Sequence, residues 1–198
     1  MLASASPARL ATQRGAGLDP EVVVSGVDES GVEAESPAAL TAELARLKAE
    51  AVEASLALDG RPTVLVGCDS MLELDGQAYG KPGTPAAAVE RWRLMRGRTG
   101  VLNTGHHLVV HRDGARAVRS AVGSTRVTFA DLGDDEIDAY VATGEPLEVA
   151  GAFTVDGLGG PFVERIEGDH HNVVGISLPL LRTLIGELGV AWPTLWAP

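Results

Sequence analysis

With 198 residues, 45% of them hydrophobic and 22% charged, the chain has a globular composition and the length of one sizeable domain or of two small lobes sharing a core. A formal net charge of -11 argues against an extended surface for nucleic-acid polymers or anionic membranes, so an anionic small substrate would need a local basic pocket. No apolar run approaches the roughly 20 residues of a membrane-spanning helix, the start MLASASPARL is too short and polar for a signal peptide, and one cysteine, Cys68, forms no internal disulfide; a cytoplasmic protein is expected.

A short apolar start leads to Ser4, Ser6, Pro7 and Arg9. Proline suits a first helical turn and serine its cap, so a helix begins here, and its outward-pointing N–H groups with Arg9 suit an anion. EVVVSG, residues 21–26, reads as a short strand followed by Asp28 and Glu29 in a glycine-flanked loop. Ser36-Pro37 opens a helix to about Leu58, with Leu40, Leu44, Leu47 and Ala51 as its apolar stripe and Lys48 close beside it. Lys48 either snorkels to solvent or reaches into a cleft.

TVLVGCDS, residues 63–70, lacks apolar and polar alternation and reads as a strand covered on both faces, with Gly67 allowing a close turn and Asp69 at its end. Asp69 is there a structural cap or a chemical group, and Cys68 beside it is a small core filler. MLEL and QAYGKP flank the turn Asp75-Gly76 as a hairpin, with Lys81 on extended backbone before Pro82.

Thr84-Pro85 caps a helix to Met95 that faces the core with Val89, Trp92 and Met95. Its cluster of Arg91, Arg93, Arg96 and Arg98 reads as a solvated face. Residues 101–111 and 115–129 form a second strand pair joined at Arg112-Asp113-Gly114. His106 and His107 point to opposite faces, which disfavours a zinc site with His111. Residues 131–143 form an amphipathic helix with an acidic first turn.

Between Ala150 and Pro179, short strand-like pieces alternate with Gly157, Gly159 and Gly160, where backbone is expected to approach something closely. A closing helix runs from about Leu178 to Leu188 and stops at Gly189. No repeat or linker divides the chain, so residues 1–198 are expected to form one domain, in two lobes.

These stretches resemble, in order, the Maf family of nucleoside triphosphate pyrophosphatases, also called septum-formation inhibitors. LASASPAR is similar to the family's LASxSPRR. VDE at Val27 to Glu29, LARLKAEA around Lys48, GCDS at Asp69, GKP at Lys81, and GAFTVDGLGG with IEGDHHNVVG follow. The resemblance implies an α/β fold, a mixed central sheet flanked by helices with a cleft between two lobes, similar to the inosine-triphosphatase-like fold.

It also implies hydrolysis of a nucleoside triphosphate to the monophosphate and pyrophosphate, clearing non-standard or surplus nucleotides, with a divalent metal (Mg²⁺ or Mn²⁺), in a cytoplasmic homodimer. Some members arrest cell division, and a nucleotide-binding regulator with weak catalysis is the alternative reading. In the family's positions Asp69 would be the proton acceptor and Glu29 and Asp69 metal ligands. Ser4, Ser6, Arg9, Lys48 and Lys81 would bind phosphate. With 14 arginines in the chain, its two lysines both fall on family motifs.

Three positions tied to base choice in the family depart from its pyrimidine-preferring pattern. Ala8 replaces the first arginine of SPRR, Ser70 replaces a threonine, and Asp156 replaces a glutamine. Only Met1 to Ala3 precede the serines, so a short first strand is expected.

Overall fold

The computed structural model describes residues 1–57 and 60–197. Among the described residues, six strands form one mixed sheet: β1 (Leu2–Ala3), β2 (Thr63–Leu74), β3 (Gln77–Tyr79), β4 (Thr99–Arg112), β5 (Ala115–Phe129) and β6 (Val163–Glu167). The order is β1-β2-β4-β5-β6, with β3 also on β2. β1 runs parallel to β2 and every other pairing is antiparallel. Both hairpins turn where predicted, with Asp75 and Gly76 at φ 52 and 76 and Asp113 and Gly114 at φ 54 and 77. Two successive positive φ angles are the geometry whose twist suits adjoining strands.

The helices are α1 (Pro7–Gly15), α2 (Pro37–Ser55), α3 (Pro85–Met95), α4 (Asp134–Ala142), α5 (His170–Val174) and α6 (Leu178–Glu187). The hydroxyls of Ser6, Ser36, Thr84 and Ser177 each accept from a first-turn N–H, satisfying a donor that the helix itself leaves free. Helix α2 ends at Ser55, and the predicted final residue, Leu58, lies outside the described residues. Among the described residues no helix is long and apolar enough to cross a membrane.

Strand β2 is buried on both faces, as its composition suggests, and alternation divides it. Leu65 packs with Val52 of α2, while Val66 and Cys68 pack with Leu181, Leu184 and Ile185 of α6. Cys68 is a core filler whose thiol burial pushes up to about 12, so it stays protonated. A third cluster surrounds Trp92, which makes edge-on contacts with Phe129, Tyr140 and Phe162 and donates through Nε1 to Ala152 O at 2.8 Å.

Four expectations change. Residues 21–26 form no strand; Val22 makes one isolated bridge to Leu2, and Val24 is exposed. Gly67 makes no turn, because β2 continues to Leu74 and leaves Asp69 in mid-strand. The buried face of α2 is Thr41, Leu44, Ala45, Ala49 and Val52, a strip of smaller residues rotated from the predicted leucine stripe. Of residues 150–179 only Val163–Glu167 is a strand; the rest is tight turns and short helices.

Small residues on α2 and glycines on the sheet set one close approach. A Cβ at Gly67 would lie 2.4 Å from Ala45 O, and one at Gly105 would lie 2.1 Å from Thr41 O. Glycine is needed there for space, and α2 rests almost on the backbone of β2 and β4. The far end of α2 is tied down by Glu53, which accepts from Arg116 Nε at 2.7 Å and Nη2 at 2.8 Å and faces His111 Nε2 at 2.7 Å.

The Arg116 hydrogen bonds lower the Glu53 pKa from 4.5 to about 2, so its contribution is present above pH 4.5 and lost as pH falls towards 2. Urea midpoints measured across that window are expected to fall, and less steeply in Glu53→Gln.

Candidate active site

The close approach of α2 determines where Lys48 goes. On a helix the i+3 and i+4 neighbours share a face, so Lys48 lies beside the buried Leu44 and Ala45 and is carried over β2. Its Nζ donates to Asp69 Oδ1 at 2.5 Å and lies 2.8 Å from Glu29 Oε1. The Lys48 and Asp69 side chains are only 12% and 10% exposed. Of the two readings left open for Lys48, the cleft is the observed one.

Asp69 sits opposite Gly105 in the β2–β4 register, under the first half of α2. Its Oδ2 is buried without a hydrogen-bond partner among the described residues. Burial raises its pKa above 3.8, opposed by Lys48 and Arg9. The carboxylate is therefore more basic than an exposed aspartate and holds one oxygen in reserve.

Arg9 meets this centre from α1. It is 8% exposed; Nε donates to Gly175 O at 2.7 Å, Nη1 to Ser4 Oγ at 3.0 Å and Nη2 to Ser70 Oγ at 2.9 Å. Five N–H groups less these three leave two for a ligand. Ser6 caps α1, and Ser4 Oγ also accepts from Ser6 N at 3.2 Å, so both serines hold the loop in shape. Ser70 in turn bonds Thr104 Oγ1 at 2.9 Å, and Thr104 reaches Asn172 O at 3.0 Å.

The buried side chain of Asn172 donates to Leu102 O and Gly123 O, both at 3.1 Å, and fixes α5 and its following turn to the sheet. Nearby, Ser177 N donates to His106 Nε2 at 2.9 Å, and burial holds that imidazole neutral, with its pKa near 4. His107 turns to Ser120 and His111 to Glu53, so the three histidines have separate partners.

The ten residues given site roles by the family resemblance all line one cleft of about 410 Å³: Ser4, Ser6, Ala8, Arg9, Glu29, Lys48, Asp69, Ser70, Lys81 and Asp156. Lys81 is largely exposed there, 3.6 Å from Glu148. The α3 arginines have other work. Arg91 bonds Gly80 O and lies over Tyr79, Arg93 and Arg96 pair with Asp134, and Arg98 pairs with Asp75.

Phe153, Thr104, Asn172 and Glu145 were not singled out. The only signals were a hydrophobe in GAFTVDGLGG, polar residues inside strand-like or loop segments, and an acid before Pro146.

The cleft carries two ammonium groups and a guanidinium, Lys48, Lys81 and Arg9, among the carboxylates of Glu29, Asp69, Glu148 and Asp156, so a phosphate chain would find cationic partners there but would need further positive charge to be balanced. Glu29 and Asp69 also fit a hard divalent ion. The orphaned Asp69 Oδ2 needs a cationic or protic partner, and such ions commonly take one or two carboxylates plus phosphate oxygens. Among the described residues no group of three or more His, Cys, Asp or Glu side chains could hold a metal, so substrate would supply the remaining ligands.

A mixed sheet flanked by helices, with Lys48 held between Asp69 and Glu29 in a charged cleft, places the chain in the α/β class. Within that class the chain belongs to the Maf family, whose model, described as Maf-like protein, matches residues 1–188.

A protein of Salinispora tropica is 60% identical over 199 residues, covering 100% of this chain and 87% of its own length. One of Cutibacterium acnes is 54% identical, covering 99% and 93%. One of Streptomyces avermitilis is 53% identical, covering 100% and 94%. Each is named nucleoside triphosphate pyrophosphatase.

Proposed function

We propose that the chain hydrolyses nucleoside triphosphates to the monophosphate and pyrophosphate, as a single domain whose cleft lies between two lobes. The observation that carries this reading is the Asp69 carboxylate, half engaged by Lys48 and half unpartnered, on the floor of a cleft that also holds Arg9 and Lys81.

Asp69 takes a proton from the attacking water as its oxygen bonds to the α phosphorus. The bond from that phosphorus to the α,β-bridging oxygen breaks, and its electron pair leaves on pyrophosphate. Lys48 keeps Asp69 oriented and offers positive charge to the phosphates, while Lys81 and the two spare N–H groups of Arg9 balance charge growing on the leaving group.

A Mg²⁺ or Mn²⁺ ion held by Glu29 and Asp69 would polarise phosphoryl oxygens and offset their charge. Ala8, Ser70 and Asp156 border the part of the cleft that receives the base. Asp156 presents carboxyl oxygens where the family's glutamine presents an oxygen and an NH₂ group, so it would favour base edges that present N–H groups.

A panel of common and modified nucleoside triphosphates, incubated with protein and Mg²⁺ and assayed for pyrophosphate and monophosphate, tests the reading. Stoichiometric release of both is expected. Release of inorganic phosphate and diphosphate, or no turnover across the panel, would refute it.

A further inference from the structure

Two of the four glycines of GAFTVDGLGG, Gly157 and Gly159, make room for Glu145 and its neighbour Tyr140. A Cβ at Gly157 would lie 2.5 Å from Glu145 Oε2, and one at Gly159 would lie 2.5 Å from Tyr140 OH. Glu145 follows Gly144, a left-handed residue at φ 79, and opens the turn Glu145–Glu148 after α4.

Its carboxylate collects four donors. Oε1 accepts from Thr154 Oγ1 at 2.6 Å, Tyr140 OH at 2.9 Å and Gly159 N at 3.0 Å, and Oε2 accepts from Leu158 N at 2.9 Å. Three of the four belong to the loop from Thr154 to Gly159. Burial alone would raise the pKa of Glu145, but these hydrogen bonds outweigh it and hold the group ionised.

The loop so gathered walls the cleft. Phe153, Thr154, Val155 and Asp156 line it, and Asp156 and Leu158 are exposed. The wall is apolar apart from a threonine and an aspartate. Asp156 would repel phosphate, and Phe153 and Val155 offer apolar surface, so this wall suits the nucleoside end of a ligand.

Other bonds immobilise its base: Trp92 Nε1 holds Ala152 O, and Gly151 N donates to Gly80 O at 3.2 Å. Between Thr154 and Gly159 the organising polar group is Glu145.

We infer that Glu145 is a positioning residue for base recognition: it shapes the Thr154–Gly159 loop against the nucleoside without touching it. This rests on the reading of the cleft as a triphosphate site. Glu145→Gln keeps shape and one oxygen but places an NH₂ group where an acceptor was, opposite the Leu158 N–H or its neighbours. Donor then faces donor, and the loop loses its fixed geometry.

The test is calorimetric affinity for the α,β-methylene analogues of the four common ribonucleoside triphosphates, which cannot be cleaved at that bond, and for inorganic tripolyphosphate, on parent and variant. Tripolyphosphate probes the phosphate groups alone. Glu145→Gln is expected to weaken the best-bound nucleotide about tenfold and to narrow the spread among bases, with tripolyphosphate affinity unchanged.

Loss of tripolyphosphate affinity in step with the nucleotides, or an unchanged spread, would overturn the inference. Tyr140→Phe and Thr154→Val, each removing one donor, should shift the spread in the same direction by less, and they decide the matter if Glu145→Gln does not fold. Because binding is read without turnover, a parent that binds but never hydrolyses would refute the hydrolase reading and leave this comparison intact.

Discussion

Asp69→Asn is expected to lower kcat by about 10²–10⁴, far more than it lowers triphosphate affinity, in a variant that still folds. Asparagine keeps the shape of the side chain and an oxygen for Lys48, but it cannot accept the proton of the attacking water. The parent should also lose kcat/KM on the acid side along a limb set by a group titrating above 3.8.

The sign follows from the role. The acceptor works ionised, and burial raises its pKa, so activity falls as pH drops through that raised value. In Asp69→Asn the residual activity should lack that limb. A variant within tenfold of the parent would remove Asp69 from the chemistry.

The second large effect is structural. Gly105→Ala is expected to destabilise the protein by about 3 kcal/mol and lower its melting temperature by roughly 6–12 °C. The added methyl would meet Thr41 O at 2.1 Å, Thr41 C at 2.4 Å and Ala42 N at 2.7 Å, all backbone of α2, so no side chain can swing aside.

The helix must lift from the sheet, and Lys48 rides on that helix. Stability and activity should therefore fall together, with Lys48 drawn from Asp69. Denaturant unfolding beside single-turnover kinetics would check this, and a variant as stable as the parent would mean that α2 does not lie so close.

The two glycines under α2 show where the sequence was legible and where it was not. Caps and hairpin turns could be read because they are local: Ser36 before Pro37 and Asp113-Gly114 carry their conformation within a few residues. The fold class and the cleft residues came from motifs in order.

What Gly67 and Gly105 are for depends on a helix some twenty to sixty positions earlier in the chain, so Gly67 looked like a turn. The same limit misplaced Asp69 at a strand end, because SMLEL after it continues a ladder that only pairing with β4 defines. EVVVSG failed as a strand because its neighbour β1 has just two residues, giving Val22 one bridge and nothing beyond. Glu145 was invisible because its four donors come from segments that fold back upon it.

The central claim is that Asp69 directs water onto the α phosphorus in this cleft. Hydrolysis in ¹⁸O-water followed by mass spectrometry of both products tests it most directly. The account predicts one ¹⁸O in the nucleoside monophosphate and none in the pyrophosphate, with the labelled product forming about 10²–10⁴-fold more slowly in Asp69→Asn. Label in the pyrophosphate would place the attack on the β phosphorus and contradict it.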